Sequence, residues 1–565
     1  MIKTPLLRKE DYLAIWIGFI FILIGLALFL TSGYSNYQNA HSRFETILSF
    51  EESKAPFKTV TWYQAQQNQE ALKAESSSIG KNLAKLTENL KRWSENPVET
   101  VYLSKAQASM IAQQHAIAYE AAKNNEAAAY TKAITAEDAA RRADYSNKKL
   151  NEAAKDEILT WRKYHQELSS LKSKYETKPY NRLPWLLLWG LILATLFGAG
   201  AKLMGESFKA FLKGFAFIFF IALTAYFLAS NQAMKNFGIG YAAWGILLGI
   251  LISNTLGTPR WALNSIKTEF YIKTGLVLLG AEILISKIMA IGLPGLLVAW
   301  IVTPIILITT YWLGQKIIKI SSKTLNITIS ADMSVCGVSA AIATAAACNA
   351  KKEELTLAVG LSMIFTSVMM ILLPIFIKWV GMPEVLGGAW IGGTIDATGA
   401  VVAAGAFLGD TAMAVAATIK MIQNILIGVI AFGVAIYFTY KVENKTEKKI
   451  GAEEIWKRLP KFILGFIAAS VLFSVIYAAI GNNMGYSLID NGVIGGFTSN
   501  IRGWLFCLAF VSIGLSTNFK ELRHYFKGGK PLILYLTGQT LNLILTLLMA
   551  YIMFYLVFPE ITETL

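Results

Sequence analysis

The chain has 565 residues, 54% of them hydrophobic, with a formal net charge of +15. A water-soluble fold does not sustain that apolar content together with many apolar runs of about 18 residues or more, each long enough to cross a bilayer. The basic excess therefore reads as short positive loops between spans rather than a nucleic-acid surface, and no nucleic-acid reader motif is present.

Residues 1–31 begin with a short basic stretch (Lys3, Arg8, Lys9) followed by the apolar run Tyr12–Leu30. A cleaved signal peptide is one reading. The run is long and lacks a clean small-x-small cleavage site, so a retained anchor with its N-terminus in the cytoplasm is the expectation. Residues 32–183 are polar and rich in Ala, Lys, Glu and Gln, with no Pro or Gly between Pro97 and Pro179. That pattern allows one very long helix, or two with a turn near Thr131–Glu137, in a coiled coil or helical hairpin. Met110, Ile111, Ala118 and Leu150 hold no clean heptad. Following one span from a cytoplasmic start, this insert is expected outside the cytoplasm, as a spacer or dimerisation device, or as a gating or docking domain.

From residue 184 onward the spans come quickly. They are expected near Pro184–Gly200, Phe211–Ala229, Tyr241–Leu256, Gly275–Ile291, Gly295–Leu313, Ser330–Cys348, Leu355–Ile377, Gly387–Leu408, Ala412–Tyr440, Phe462–Ile480, Val493–Leu515 and Pro531–Phe558. With the anchor these make thirteen. The fold class is thus all-α: a polytopic membrane protein with broken helices, carrying a helical extracytoplasmic insert.

The basic loops Lys202–Lys209, Arg260–Lys273, Lys316–Lys323, Lys441–Lys461 and Lys520–Lys530 then fall inside, and the tail Glu560–Leu565 ends outside. Lys351 and Lys352 fall on the wrong side, unless Ser330–Cys348 and Gly387–Leu408 are re-entrant. A faint internal echo also appears. Fifteen residues separate Gly280 from Gly295, and fifteen separate Gly514 from Gly529, each interval leading into a long apolar span. Inverted repeats leave such traces, and so does chance in a glycine-rich membrane protein.

Residues 330–440 stand out for their Gly, Ala, Ser and Thr content and for single charges in apolar surroundings. Between Glu384 and Asp410 the only charge is Asp396, and between Asp410 and Lys441 the only charge is Lys420. A charge at membrane depth faces a partner or a wet cavity. Asp396, flanked by Thr394 and Thr398, reads as a carrier of H+ or Na+, or as the structural ion-pair partner of Lys420. Lys420 reads as the counter-charge of an anion, or as a lysine snorkelling to an interface.

Ser334–Ala340 (SVCGVSA) reads as an unwound turn. Ser334, Cys336, Gly337 and Ser339 would present hydroxyl and amide donors to an anion at a restarting helix, or would simply allow tight packing. Cys336 also suits a small buried hydrophobe. Asp332 and Glu282 are further ion-coupling candidates, Asp332 also suiting the cytoplasmic mouth. Arg502 and Asp490 read as interfacial anchors. The three cysteines lie in apolar segments and the four histidines hold no ligand spacing, so neither a disulfide framework nor a metal or other cofactor is expected.

Cys336-Gly337-Val338-Ser339-Ala340, then Gly392-Gly393-Thr394, then Val401-Val402-Ala403-Ala404-Gly405, then Lys420 and Asn424, occur in an order that resembles the sulfate-exporter (YeiH-like) family of bacterial membrane proteins. The resemblance covers roughly residues 184–565. Two positions depart from that pattern: Asp396-Ala397 stand where a His-Glu pair is usual, and Gln423 stands where an Arg is common.

The resemblance implies a secondary transporter in the bacterial cytoplasmic membrane, moving sulfate or a related sulfur oxyanion or sulfonate. Ser334, Cys336, Gly337, Ser339, Thr394, Thr398, Lys420 and Asn424 would bind it, with Asp396, Asp332 and Glu282 coupling it to H+ or Na+. No Walker-type phosphate loop accompanies these residues, so the chain is not expected to hydrolyse ATP, and no nucleophile–base constellation suggests an enzyme. Partners are then the anion, the coupling ion and the lipid bilayer, with homo-oligomerisation open. The alternative is a membrane sensor or scaffold with a partner-binding ectodomain and a degenerate transporter core.

Overall fold

The computed structural model describes residues 9–31, 34–72, 78–236, 240–282, 285–438, 460–481, 485–518 and 529–559. The loops expected at Lys441–Lys461 and Lys520–Lys530 fall almost wholly outside these residues, as does the tail Glu560–Leu565. The fold is all-α, 85% helical, with 21 helices among the described residues. It divides into two compact units: Leu23–Trp189 with Tyr477–Phe497, and Met1–Ile22 with Gly190–Ile476 and Thr498–Leu565.

Helix α1 (Glu10–Thr31) is the N-terminal apolar run. The polar unit contains α2 (Tyr34–Lys54), α3 (Val60–Ala71), α4 (Ser78–Thr87), α5 (Lys105–Arg142) and α6 (Lys148–Tyr175). Helices α5 and α6 form an antiparallel hairpin. Tyr119 stacks on Tyr175 and Tyr130 meets Trp161 edge-on, while Glu126 Oε1 accepts from Trp161 Nε1 at 2.8 Å.

The turn expected near Thr131–Glu137 lies instead at residues 143–147. Asp144 and Tyr145 take positive φ there, and the Asn147 side chain caps the first turn of α6. The helix seam is also not where large side chains placed it. Met110 and Ala118 are exposed, and Ile111 and Leu150 are only half-buried. Besides Glu137, the buried residues of α5 are Ala108, Ala122, Ala129, Ala133 and Ala140, spaced largely by sevens and a four, so alanines carry the heptad and let the helices approach closely. Val60, Ile158 and Trp161 close this core. A two-residue strand pair, Tyr102–Leu103 with Tyr180–Asn181, ties the base, where Arg182 Nη1 donates to Glu88 Oε2 at 2.7 Å.

The apolar unit follows as α7 (Leu183–Leu203), α8 (Phe208–Ala229), α9 (Gln232–Asn236), α10 (Tyr241–Thr255), α11 (Thr268–Glu282) and α12 (Ile285–Lys316). Then come α13 (Lys323–Ser334), α14 (Val338–Ala347), α15 (Lys352–Trp379), α16 (Glu384–Thr394), α17 (Thr398–Leu408) and α18 (Asp410–Tyr437). The last are α19 (Phe462–Ile480), α20 (Ser499–Ser516) and α21 (Lys530–Tyr551); the π-helical stretch Tyr486–Thr498, up to Phe497, and the end of α19 fall in the other unit.

Among the described residues nine helices are long and apolar enough to cross a membrane. The other four expected spans differ. Tyr241–Thr255 is short, and the segment expected at Gly275–Ile291 is divided between α11 and α12. Ser330–Cys348 and Gly387–Leu408 are each broken into two shorter helices folded as a hairpin. The two ends of α13–α14 lie together: Ser322 and Thr324, at the start of α13, donate to the Glu354 carboxylate at the start of α15 at 2.5 and 2.8 Å. The ends of α16–α17 also lie together: Ala412 N donates to Glu384 Oε2 at 3.4 Å, and a Cβ on Gly405 would stand 2.8 Å from Met413 Cα.

The hairpins occupy opposite ends of α18. The α13–α14 pair packs on its C-terminal half through Ile327, Ala340, Leu426 and Phe438, and the α16–α17 pair packs at its N-terminal end. Small residues set the second contact. A Cβ on Gly388 would stand 2.5 Å from Ala412 O, and one on Gly392 would stand 2.7 Å from Ala416 O. One further turn of the same ladder brings Asp396 level with Lys420.

The glycines of the apparent echo have separate packing reasons. Gly280 lies against the Phe466 backbone, and Gly514 against Gly249 and Ile246 O. Helix α1 is built into this unit. Its Glu10 and Asp11 pair with Lys273 Nζ at 2.7 and 2.9 Å, and Gly18 abuts Val277.

One titratable group lies at the centre of the polar unit. Glu137 Oε2 accepts from Val60 N at 2.9 Å, and burial lifts its carboxyl above the usual 4.5, with the Val60 N–H pulling the other way. A carboxyl raised in the folded state contributes stability that is full below its unfolded pKa and lost as pH rises through the folded one. Hydrogen–deuterium exchange of the full-length protein, corrected for intrinsic rates, should show stronger protection around Val60 at about pH 5 than at about pH 7.5. Glu137→Gln should remove that difference. Glu137→Ala should cost about 1–3 kcal/mol by stranding the Val60 amide.

Candidate functional site

The tips of the two hairpins overlap. Between α13 and α14 the chain unwinds over Val335-Cys336-Gly337, and between α16 and α17 over Ile395-Asp396-Ala397. Gly337 takes φ +63°, and a Cβ there would stand 2.8 Å from Ser362 Oγ and 3.2 Å from Asp396 Cβ. Only glycine meets both the backbone geometry and the space.

Each break ends a helix whose last carbonyls have no intrahelical partner, in a layer with no bulk water to satisfy them. Side chains of two neighbouring helices satisfy them. From α18, Lys420 Nζ donates to Val335 O at 2.6 Å and to Gln423 Oε1 at 2.7 Å. Gln423 Nε2 donates to Thr303 Oγ1 at 3.0 Å, Ser334 O at 3.1 Å and Gly393 O at 3.4 Å. From α21, Gln539 Nε2 donates to Thr394 O at 3.0 Å and Asn542 Nδ2 to Met333 O at 3.3 Å. The ammonium also places positive charge at the negative end of α13.

The acidic groups lie in the same place. Asp396 Oδ2 accepts from Tyr535 Oη at 2.5 Å. Asp332 is fully buried, and neither of its carboxylate oxygens has a hydrogen-bond partner. Its polar neighbours are Ser362, Tyr535 and Asp396. Neither restarting helix, α14 or α17, has a side-chain cap, and Thr398 Oγ1 accepts from Asn424 Nδ2 at 3.1 Å.

The sequence-derived residues separate accordingly. Ser334, Cys336, Gly337, Asp332, Thr394, Asp396, Thr398, Lys420 and Asn424 come together. The hydroxyls of Ser334 and Thr394 turn back to Ala331 O and Trp390 O, so their carbonyls, not their hydroxyls, enter the network. Ser339 is exposed, one residue past the start of α14. Asp396 and Lys420 are level and feel each other's charge, but no ion pair within 4.0 Å joins them, because each is bonded elsewhere.

Glu282 belongs to a different cluster, where Arg502 Nε meets its Oε1 at 2.8 Å and Asp410 stands 4.0 Å from Arg502 Nη2. Arg502 is thus a buried ion-pair partner, 8% exposed, rather than an interfacial anchor. Asp490 accepts from the Tyr477 hydroxyl at 2.9 Å.

Residue-by-residue reading missed Tyr535, Gln539 and Asn542. With Thr546 they recur at i, i+4, i+7 and i+11 along an otherwise apolar helix, a polar stripe that was available as a signal. Ser362 and Thr303 carried no such pattern.

Two helical hairpins meeting at a buried polar junction, among long apolar helices, define a multi-pass helical membrane protein. The chain belongs to the UPF0324 membrane protein family: the profile described as "Conserved hypothetical protein 698" matches residues 213–535. A UPF0324 membrane protein of Nitratidesulfovibrio vulgaris is 52% identical over 99% of this chain and 96% of its own length. One from Rhodopirellula baltica is 59% identical over 66% of this chain and 68% of its own. One from Nitrosomonas europaea is 30% identical over 68% of this chain and 85% of its own. No solved structure matches.

Gln423 is the hub of the junction because an amide both donates and accepts. Gln423→Leu strands the Ser334 and Gly393 carbonyls and removes an acceptor from Lys420, at about 1–3 kcal/mol per stranded group. Gln423→Arg sets a second cation beside the ammonium. Both variants should melt several degrees below wild type in detergent, read by scanning fluorimetry. Equal melting temperatures would mean the carbonyls find other donors.

Proposed function

We propose that this protein is a secondary active transporter of a small anion, working by alternating access and driven by H+ or Na+. The observation that carries the proposal is the meeting of two oppositely inserted hairpins beside Lys420 and Asp396. Broken helices ending at a common buried point are how secondary transporters build a substrate site from backbone dipoles. The uncapped starts of α14 and α17 offer partial positive charge to an anion, and Lys420 supplies a full one. The sulfur oxyanion or sulfonate assignment rests on the resemblance of the tip motifs and of Lys420 and Asn424. Asp396 and Asp332 are the coupling carboxylates, and Glu282 is dropped from that role.

A cytoplasmic N-terminus, with residues 32–183 outside, suits this reading. With both hairpins re-entrant, Lys351 and Lys352 fall on the same side as Lys319 and Lys530, whose ammonium donates to Lys319 O at 3.0 Å. That side is then the basic, cytoplasmic one. The two hairpins inserted from opposite ends are also what an in-plane pseudo-two-fold generates.

A second reading, a sensor with a static core, draws on the junction itself, since every carbonyl named above is already capped. Uptake of labelled sulfate into proteoliposomes under an imposed pH or Na+ gradient separates the two. Gradient-driven flux should fall at least about tenfold in Asp396→Asn and in Lys420→Met, since each removes a charge from the site. A folded wild type that moves neither sulfate nor any sulfonate tried, in either gradient, would favour the static core.

A further inference from the structure

We infer that Asp332 and Asp396 together form a site for one shared proton, and that no metal cation occupies it. As a statement about coupling this rests on the transporter reading; as a statement about the site it does not.

The argument starts from Asp332. Its side chain is fully buried, neither oxygen has a hydrogen bond of good geometry, and only the Ser362 and Tyr535 hydroxyls stand near, so an ionised carboxylate there would bear most of its desolvation cost. Asp396 stands beside it, holding the Tyr535 hydroxyl. The ionisable groups facing the pair are Lys420 from α18, Tyr535 from α21 and Cys336 from the tip; α15 contributes the neutral Ser362. With both carboxylates ionised and Lys420 charged, the junction carries one uncompensated negative charge. A single proton on the pair cancels it, and a protonated Asp332 gains a hydrogen to donate.

A metal cation would cancel the same charge, but the backbone carbonyls that would ligate it are already bonded, and a full ammonium charge stands nearby. Hard cations take shells of about six oxygens or more. At broken helices those oxygens are unwound backbone carbonyls. Here Met333, Ser334, Val335, Gly393 and Thr394 have each given their carbonyl to an N–H donor of Asn542, Gln423, Lys420 or Gln539. The Lys420 ammonium already brings a full positive charge to the tip, on Val335 O. What remains at the junction is two carboxylates, the Ser362 and Tyr535 hydroxyls and the amide oxygens of Gln539 and Asn424. Among the described residues no group of three or more His, Cys, Asp or Glu side chains could hold a metal.

Infrared difference spectroscopy of the full-length protein in liposomes, stepped in pH and repeated in D2O, tests this directly. A protonated-carboxyl C=O band should titrate in wild type and vanish in both Asp332→Asn and Asp396→Asn, since either removes half of the shared site. Tyr535→Phe should keep the band and shift its frequency, which covers the case in which an Asn variant fails to fold. Exchanging K+ for Na+ at fixed pH should leave the wild-type band and the melting temperature unchanged.

Loss of the band on adding Na+, a Na+-specific rise in melting temperature, or no protonated carboxyl in wild type would overturn the inference. Anion flux that follows a Na+ gradient would also overturn it while sustaining the transporter reading. The expected band without any flux would uphold the proton site and sink the transporter reading.

Discussion

The structure depends on how backbone carbonyls are satisfied where helices stop inside a membrane. Lipid offers no donor, and each exposed carbonyl there costs several kcal/mol. The hairpin tips can exist at depth only because Lys420, Gln423, Gln539 and Asn542 reach them from two continuous helices, α18 and α21. The small-residue ladder between α16 and α18 follows from this need. Gly388 and Gly392 against Ala412 and Ala416 bring the backbones close enough to seat the Asp396 tip level with Lys420. Bulkier residues would hold that tip away from its donors.

The junction is consequently both rigid and charged. Lys420 is committed twice over, to Val335 O and to Gln423, so an incoming anion would have to compete with the tip for its ammonium. Binding and tip geometry are coupled for that reason: a ligand that draws Lys420 away frees a carbonyl of one hairpin and disturbs the amide that bridges both.

Much of this was legible in the sequence. The single charges at Asp396 and Lys420, the glycine of Cys336-Gly337 and the small-residue composition marked the broken helices. The polar insert read correctly as helical, because long stretches without Pro or Gly leave few alternatives.

What did not read was side-chain direction. Ser334 and Thr394 matter through their carbonyls, which a sequence motif does not reveal. Glu282 looks like an isolated membrane acid until Arg502, 220 residues away, is seen beside it. The turn of the polar hairpin was misplaced because Asp144 and Tyr145 adopt a left-handed geometry that neither residue type strongly signals. Its seam was overlooked because alanine looks like filler next to methionine and isoleucine.

The seating of α1 carries a consequence for biosynthesis. Asp11 Oδ2 accepts from Lys461 N at 2.7 Å, and Gly465 packs on Ile15, so α1 is clasped by a segment about 450 residues later. At about 5–20 residues per second, that partner emerges tens of seconds after α1 has inserted. Over that interval α1 has its contacts with α11, through Lys273 and Val277, but not those with Lys461 and Gly465. Closure of the apolar unit around α1 is therefore completed late and over a long range of sequence, and a chain truncated before α19 would lack the second of its two clasps.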